Sequence, residues 1–228
     1  MRPNVIVSYD GTRNDRDALA LGRLLAGAGA AVALAYVRHA HEVETGRERL
    51  AVRDAEALLA AGAEALGQPD APQHVVISAS TPVGLRELAL ARSADLIVFG
   101  SEYRTAPGHV DPQASARRLL DGGPVALGIA PAGFAERDGH GVRTVAAIGE
   151  DGDPCPAETA AALAVGLGAT AVGLGAGEAD LLVVGSKPGT VTGRVTISAA
   201  ADYLIELSRC PVLILPRGIA LEFTGPGC

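Results

Sequence analysis

The strongest constraint on the fold of this chain is an internal repetition. Residues 94–101 read ADLIVFGS, and residues 179–186 read ADLLVVGS. An Asp-Gly pair follows an apolar segment upstream of each block, and a proline followed by an apolar segment comes downstream of each. Because these pieces recur in the same order, the sequence predicts two versions of one structural unit.

Short apolar segments alternate with helical patterns in the first unit. Strands are predicted at 5–9, 31–37, 74–78, 95–99 and 125–130, and helices at 15–28, 42–66, 82–91 and 114–120. Strands that are apolar throughout and alternate with helices are typical of a parallel sheet covered on both faces. The predicted fold class is therefore α/β, built from two doubly wound parallel-sheet units.

The second unit is shorter than the first. From Asp10 to Asp95 the chain advances 85 positions, whereas from Asp151 to Asp180 it advances 29. The second unit keeps the strand at 142–149, the helix at 156–167, a short strand at 170–174 and the last strand near 212–215, and it lacks the long helix, the third strand and the following helix. A polar, glycine-rich stretch at 133–141 predicts domains at 1–135 and 142–218, the second truncated.

Composition excludes several classes of function. With 26 acidic and 19 basic residues the net charge is −7, which disfavours nucleic acid and anionic membrane surfaces as partners. Three cysteines give no disulfide framework, and neither a signal peptide nor a membrane span is recognisable, so we expect a cytoplasmic protein. The five histidines have no metal-ligand spacing and no catalytic set can be assembled, so we expect neither a metal site nor an enzyme.

The repeated pattern resembles the universal stress protein family in its tandem bacterial form. The likeness lies in the Asp-Gly after each first strand, in the two ADLhVhGS blocks, where h is a hydrophobic residue, and in the ending CPVLILPRG at 210–218. It implies a Rossmann-like fold of the adenine nucleotide alpha hydrolase type. It also implies that the two fifth strands pair within the chain across a pseudo-two-fold axis, with homodimerisation as a further option.

Some members of that family bind ATP, and the resemblance carries their site onto particular residues here. An aspartate after the first strand and a valine at the end of the second hold the adenosine, and a loop G-x2-G-x9-G-S/T surrounds the phosphates. In the first half the matching residues are Asp10, Val37, Gly100 and Ser101. The rest of the loop departs from the pattern, because Tyr103 replaces its second glycine and Gln113-Ala114 its final Gly-Ser.

The second half supplies a more basic candidate loop. Its candidate nucleotide-binding residues are Asp151, Gly185, Ser186, Lys187, Gly189, Gly193, Arg194 and Ser198. Glycines and cations suit phosphate, so we expect residual phosphate binding here rather than in the first half. Two alternatives stay open: the aspartates and glycines shape turns only, and Ser198 caps the helix that follows.

The sequence therefore predicts a binding or regulatory module in stress response with a weak or degenerate adenine-nucleotide site. ATP is the one cofactor considered, and phosphate or an empty site is the alternative. The second hypothesis is a structural or interaction protein that kept the fold without the nucleotide. The third, a nucleotide-hydrolysing enzyme, ranks last because no base, nucleophile or metal pair lies near the loops.

Overall fold

The computed structural model describes residues 2–39, 45–137, 141–173, 179–223 and 225, with the backbone alone for 45–52. In its first half, strands and helices alternate. The strands are β1 (Asn4–Ser8), β2 (Ala31–His39), β3 (Gln73–Ser78), β4 (Leu96–Gly100), β5 (Asp121–Gly123) and β6 (Ala126–Ala130). The helices are α1 (Asp15–Gly27), α2 (Thr45–Leu66), α3 (Thr81–Arg92) and α4 (Ala114–Leu119).

A helical turn at Phe134–Glu136 leads towards the second half. Its strands are β7 (Thr144–Ile148), β8 (Thr170–Val172), β9 (Leu181–Val184), β10 (Val195–Thr196) and β11 (Val212–Ile214). Its helices are α5 (Cys155–Leu167) and α6 (Ala199–Leu207). The α/β class is confirmed, and the predicted ends agree within two residues wherever the structure describes them; the predicted positions 42–44 and Leu174 lie outside the described residues.

Nine strands form one continuous sheet in the order β3-β2-β1-β4-β6-β11-β9-β7-β8. Within this sheet, as far as the structure describes it, neighbours in the same half are parallel and β6 pairs with β11 in antiparallel orientation. The predicted pairing of the two last strands is thus seen as this antiparallel pair. The unpaired strand edges that each half would expose on its own are joined, which removes a site of aggregation. The domain limits at 135 and 142 stay predictions.

The register of that pair locates a local two-fold axis. Leu127, Gly128 and Ile129 lie opposite Ile214, Leu213 and Val212. Residues of the two halves that correspond from the fourth strand onwards are 85 positions apart, as in the two Asp-Leu blocks. Gly128 and Leu213 are therefore equivalent residues that face each other at the axis. A Cβ on residue 128 would lie 3.1 Å from Leu213 Cδ2, so the glycine makes room for the leucine.

Apolar side chains pack on both faces of the sheet. One face is covered by α1, α2 and α5, and the other by α3, α4 and α6. The truncated second half has no counterpart of α2 among the described residues. The C-terminal tail packs there instead: Leu221 and Phe223 are buried in the same cluster, and the Leu221 amide donates to Thr159 Oγ1 of α5 at 2.9 Å.

The segment between the halves is held against α1. The buried carboxylate of Asp17 accepts hydrogen bonds from the amides of Gly133 at 2.9 Å and Ala135 at 2.8 Å. Strands β5 and β10 form a further antiparallel link between the halves. These strands were not predicted, because two or three residues carry no periodicity.

Candidate functional site

A cavity of about 690 Å³ opens at the carboxyl ends of β1 and β2. In open α/β sheets this edge is where ligands bind, at the point where connections on either side of a strand run to opposite faces. Strand β1 lies at such a point, between β2 and β4. The lining side chains are mostly polar: Ser8, Tyr9, Asp10, Thr12, Asp15, Tyr36, Val37, Arg38, His39, Thr81, Gln113 and Ser115.

The turn after β1 is organised by Asp15. Its Oδ2 accepts hydrogen bonds from the amides of Asp10 at 2.5 Å, Gly11 at 2.7 Å and Thr12 at 3.3 Å. Gly11 has φ +80°, a conformation that favours glycine. Burial, followed by the charge of the Asp10 carboxylate, raises the pKa of Asp15 to about 7, although amide donors favour the ionised form.

Two predicted residues, Asp10 and Val37, come together in this cavity. Asp10 is exposed at the mouth, and its Oδ1 accepts from the Thr12 amide at 3.0 Å. On the other side of the mouth, His39 Nε2 lies 3.2 Å from Thr81 Oγ1 and links the end of β2 to the start of α3. The structure thus places both residues at one cavity, and their role in binding a ligand stays a prediction.

The other two predicted residues of the first half lie inside the fold. A Cβ on Gly100 would lie 2.2 Å from the carbonyl oxygen of Asn14, so this glycine permits the close approach of two backbones. Ser101 is fully buried. Its hydroxyl donates to the Ala130 carbonyl at 2.7 Å and accepts from the Asp111 amide at 3.2 Å, so it does not face the cavity.

The loop of the second half repeats this arrangement at the spacing of 85. Ser186 is fully buried, donates to the Leu215 carbonyl at 2.7 Å and accepts from the Thr196 amide at 3.2 Å. Gly185 is buried against Pro156. The two serines thus hold each loop to the end of the last strand of its half.

Three other predicted residues of the second half lie at the surface. Lys187 and Gly189 are exposed, and Arg194 is exposed with its Nη1 3.4 Å from the carbonyl oxygen of Gly122 in the first half. Gly193 has φ +77° and corresponds to Gly108 in the first loop, with φ +85°. The amides of both glycines donate to the chain beyond the last strand of their half, at Arg217 and Ala132.

The edge of the second half that corresponds to the cavity is filled by side chains. By strand register Glu150, rather than Asp151, corresponds to Asp10. Glu150 Oε1 makes a short hydrogen bond with the hydroxyl of Ser198, which also caps α6 by accepting from the Ala201 amide at 3.0 Å. The predicted capping role of Ser198 is confirmed.

An arginine completes this closure. Arg217 donates from Nη1 to the Glu150 carbonyl at 2.9 Å, and its Nε lies 3.6 Å from Asp153 Oδ2. Burial raises the pKa of Asp153, but hydrogen bonds from Cys155 and Gly218 and the Arg217 charge lower it more, so the net shift is downward. Asp151 is exposed in a left-handed conformation, with φ +54°. The counterpart of Val37, Ala176 by strand register, lies outside the described residues.

Sequence reasoning missed several lining residues of the cavity. Tyr36, Arg38 and His39 lie in the last part of β2, two of them beyond the predicted end at residue 37, and Thr81 begins α3. Their position at strand and helix ends could have identified them, because parallel strands bring their carboxyl ends to one edge of the sheet. Gln113 was noticed only as a departure from the loop pattern, yet it lines the cavity and its Nε2 donates to the Gly100 carbonyl at 3.1 Å.

In the part of the chain that the structure describes, no group of three or more His, Cys, Asp or Glu side chains is placed to hold a metal ion. Among the helices of this part, none is long and apolar enough to cross a membrane.

No protein-family model and no curated protein sequence matches the chain. Solved structures do. A protein described as a universal stress protein, from Pseudomonas aeruginosa, is similar over 95% of this chain and 94% of its own, with a TM-score of 0.68 and 14% identity. A protein of unknown function from the same species has a TM-score of 0.63 and 14% identity over 95% of this chain and 93% of its own.

A universal stress protein from Archaeoglobus fulgidus has a TM-score of 0.58 at 14% identity, over 94% of this chain and 98% of its own. The likeness extends across both halves of the chain in each case. This chain therefore has the fold of the universal stress proteins.

Proposed function

We propose that the chain is a binding or regulatory module of the universal stress protein type, and that its ligand is of the adenine-nucleotide class. The observation that carries the proposal is the cavity at the carboxyl ends of β1 and β2. Asp10 and Val37, which the family resemblance assigns to adenosine, both line it. The fold comparison supports the same placement, because this edge is the binding edge of such sheets.

The site belongs to the first half. This departs from the sequence-based expectation, which favoured the basic loop of the second half. At the second edge, Glu150 is hydrogen-bonded through its carboxylate to Ser198 and through its carbonyl to Arg217. Arg217 stands at the position of Ala132 in the first half, so a long side chain replaces a methyl group there. A ligand at that edge would have to displace these hydrogen bonds and the partly buried ion pair of Arg217 with Asp153.

The proposal is tested by thermal unfolding with and without millimolar AMP. A ligand at 100 times its dissociation constant adds about 2.7 kcal/mol to stability, which is readily seen as a rise in Tm. We expect AMP to raise the Tm of the wild type and of the matched control Asp151→Asn, and to have a smaller effect on Asp10→Asn. Absence of any AMP effect on the wild type contradicts the proposal and favours an interaction protein. Loss of the effect in Asp151→Asn alone would move the site to the second half.

A further inference from the structure

We propose that the first-half cavity recognises the nucleoside part of its ligand and does not select for a polyphosphate, and that Gln113 closes the side where phosphates would extend. This inference rests on the proposed function and narrows its ligand class. It concerns the loop between Gly100 and Gln113, which in a phosphate-binding protein would present free amides to the ligand.

Many backbone amides of the loop already donate hydrogen bonds within the protein. Six of its N–H groups donate to partners in the loop or in the segment after β6: those of residues 102, 103, 105, 108, 109 and 111. Five of these bonds recur at the equivalent residues of the second half: 187, 190, 193, 194 and 196. A pattern present in both halves, one of which has its edge filled by Arg217, serves folding rather than ligand binding.

The loop also stays away from the cavity. Among the described lining residues, none comes from 101–112. Gln113 is the first residue after the loop to reach the cavity, and its amide nitrogen is bound to the Gly100 carbonyl. Gln113 therefore stands at the start of α4, where the family pattern has a glycine with no side chain.

The charges in the loop point the same way. Glu102 and Asp111 are acidic, and Asp111 is paired with Arg117 at 2.9 Å. The one arginine inside the loop, Arg104, lies over the Tyr103 ring at 5.0 Å. Phosphates that extended from the cavity over this loop would approach these carboxylates, and like charges repel.

The cavity itself suits a nucleoside. The carboxylate of Asp10 stands at the mouth, and carboxylates at this edge of nucleotide-binding sheets accept hydrogen bonds from ribose hydroxyls. Hydroxyl groups of Thr12, Thr81 and Ser115 add further neutral partners. These side chains offer hydrogen bonds to a sugar and a base, and Arg38, the arginine of the described lining, is buried.

Calorimetric titration of the full chain with adenosine, AMP and Mg-ATP tests the inference. The variants are Gln113→Gly, Asp10→Asn and the matched control Ser198→Gly, which changes the equivalent position of the second half. For the wild type we expect the Kd of adenosine to lie within about threefold of that of ATP, or below it. Asp10→Asn should weaken all three ligands alike. Gln113→Gly should shift the ratio of the two Kd values towards ATP by at least about threefold, and Ser198→Gly should leave it unchanged.

Each contrary result has a distinct meaning. ATP binding that is about tenfold tighter than adenosine binding overturns the nucleoside inference and leaves the proposed function standing. An unchanged ratio in Gln113→Gly overturns the role of Gln113. If none of the three compounds binds, the proposed function itself fails and the inference fails with it.

Discussion

Arg117 and Asp202 are equivalent residues of the two halves, and they face each other: Arg117 Nη1 lies 3.6 Å from Asp202 Oδ1. They are 85 positions apart, like Gly128 and Leu213. In a dimer of identical units, a charged residue at this position would meet its own copy and be repelled by it. Within one chain the two positions carry opposite charges, and Arg117 also contacts Asp111 at 2.9 Å and Glu206 at 3.8 Å.

A charge reversal at this contact should lower stability. Arg117→Asp places a carboxylate among three others, and because the pairs are half-exposed we expect a loss of about 1 kcal/mol in the free energy of unfolding. Adding Asp202→Arg should recover part of the loss. Chemical denaturation of both single variants and the double variant measures the coupling. Arg118→Asp, a neighbouring exposed arginine, serves as the control; an equal loss there would show that the pairing with Asp202 is unimportant.

Gly128 and Leu213, the equivalent residues that face each other inside the core, should also be energetically coupled. Gly128→Leu overfills the space beside Leu213 and Val98, for which we expect a cost of about 1–3 kcal/mol. Leu213→Gly leaves a cavity and should cost about 2–5 kcal/mol. The double exchange restores the combined volume. We expect the double variant to lose less unfolding free energy than the two single variants together. Losses that simply add would contradict the complementary packing.

The two loop serines should matter equally for stability. Each buried hydroxyl joins a loop amide to the carbonyl of the last strand, so Ser101→Ala and Ser186→Ala each leave buried polar groups unpaired, at about 1–3 kcal/mol. Thermal unfolding measures the loss. Lys187→Ala, an exposed change in the same loop, is the control. A Ser186→Ala variant that keeps its Tm but loses AMP binding would return the serine to the ligand site.

The carboxyl group of Asp15 should make stability depend on pH. Its folded pKa of about 7 exceeds the ordinary value of 3.8, so the folded state binds more protons than the unfolded state between these limits. The contribution of this group to stability is therefore greatest below about pH 4, declines as the pH rises to about 7 and is level above that. Asp15→Asn should remove about 1–3 kcal/mol of this decline. Denaturant midpoints across this range test it, and an unchanged slope in the variant would contradict it.

Much of the fold could be predicted because its signals are local. Segments such as Leu96–Gly100 are apolar throughout and bounded by turn residues, so a buried strand is readable from one window of sequence. The pairing of β6 with β11 is not readable in this way. It followed from the resemblance, because contacts between distant residues leave no periodic mark.

The candidate site could be predicted only where cavity-lining positions lie at or just after the end of a strand. Asp10 follows β1 and Val37 lies near the end of β2, and both line the cavity. Ser101 and Ser186 were expected at a phosphate, but their burial depends on the last strand of each half, 29 residues further along the chain. Arg217 belongs to a stretch that looked like any strand ending. That it would fill the second edge depends on Glu150 and Asp153, which no spacing rule connects to it.

The antiparallel pairing of β6 with β11 places the edges of the two halves, which differ from each other, at opposite rims of the sheet. The strands of the two halves run in opposite senses across this pair, so their carboxyl ends emerge at opposite rims of the sheet. The cavity occupies one rim, and the edge closed by Arg217 occupies the other. The molecule thus has an open cavity at one rim of the sheet and a hydrogen-bonded, closed edge at the opposite rim. An attachment point engineered at the closed edge, for immobilisation or a reporter dye, would leave the approach to the cavity unobstructed.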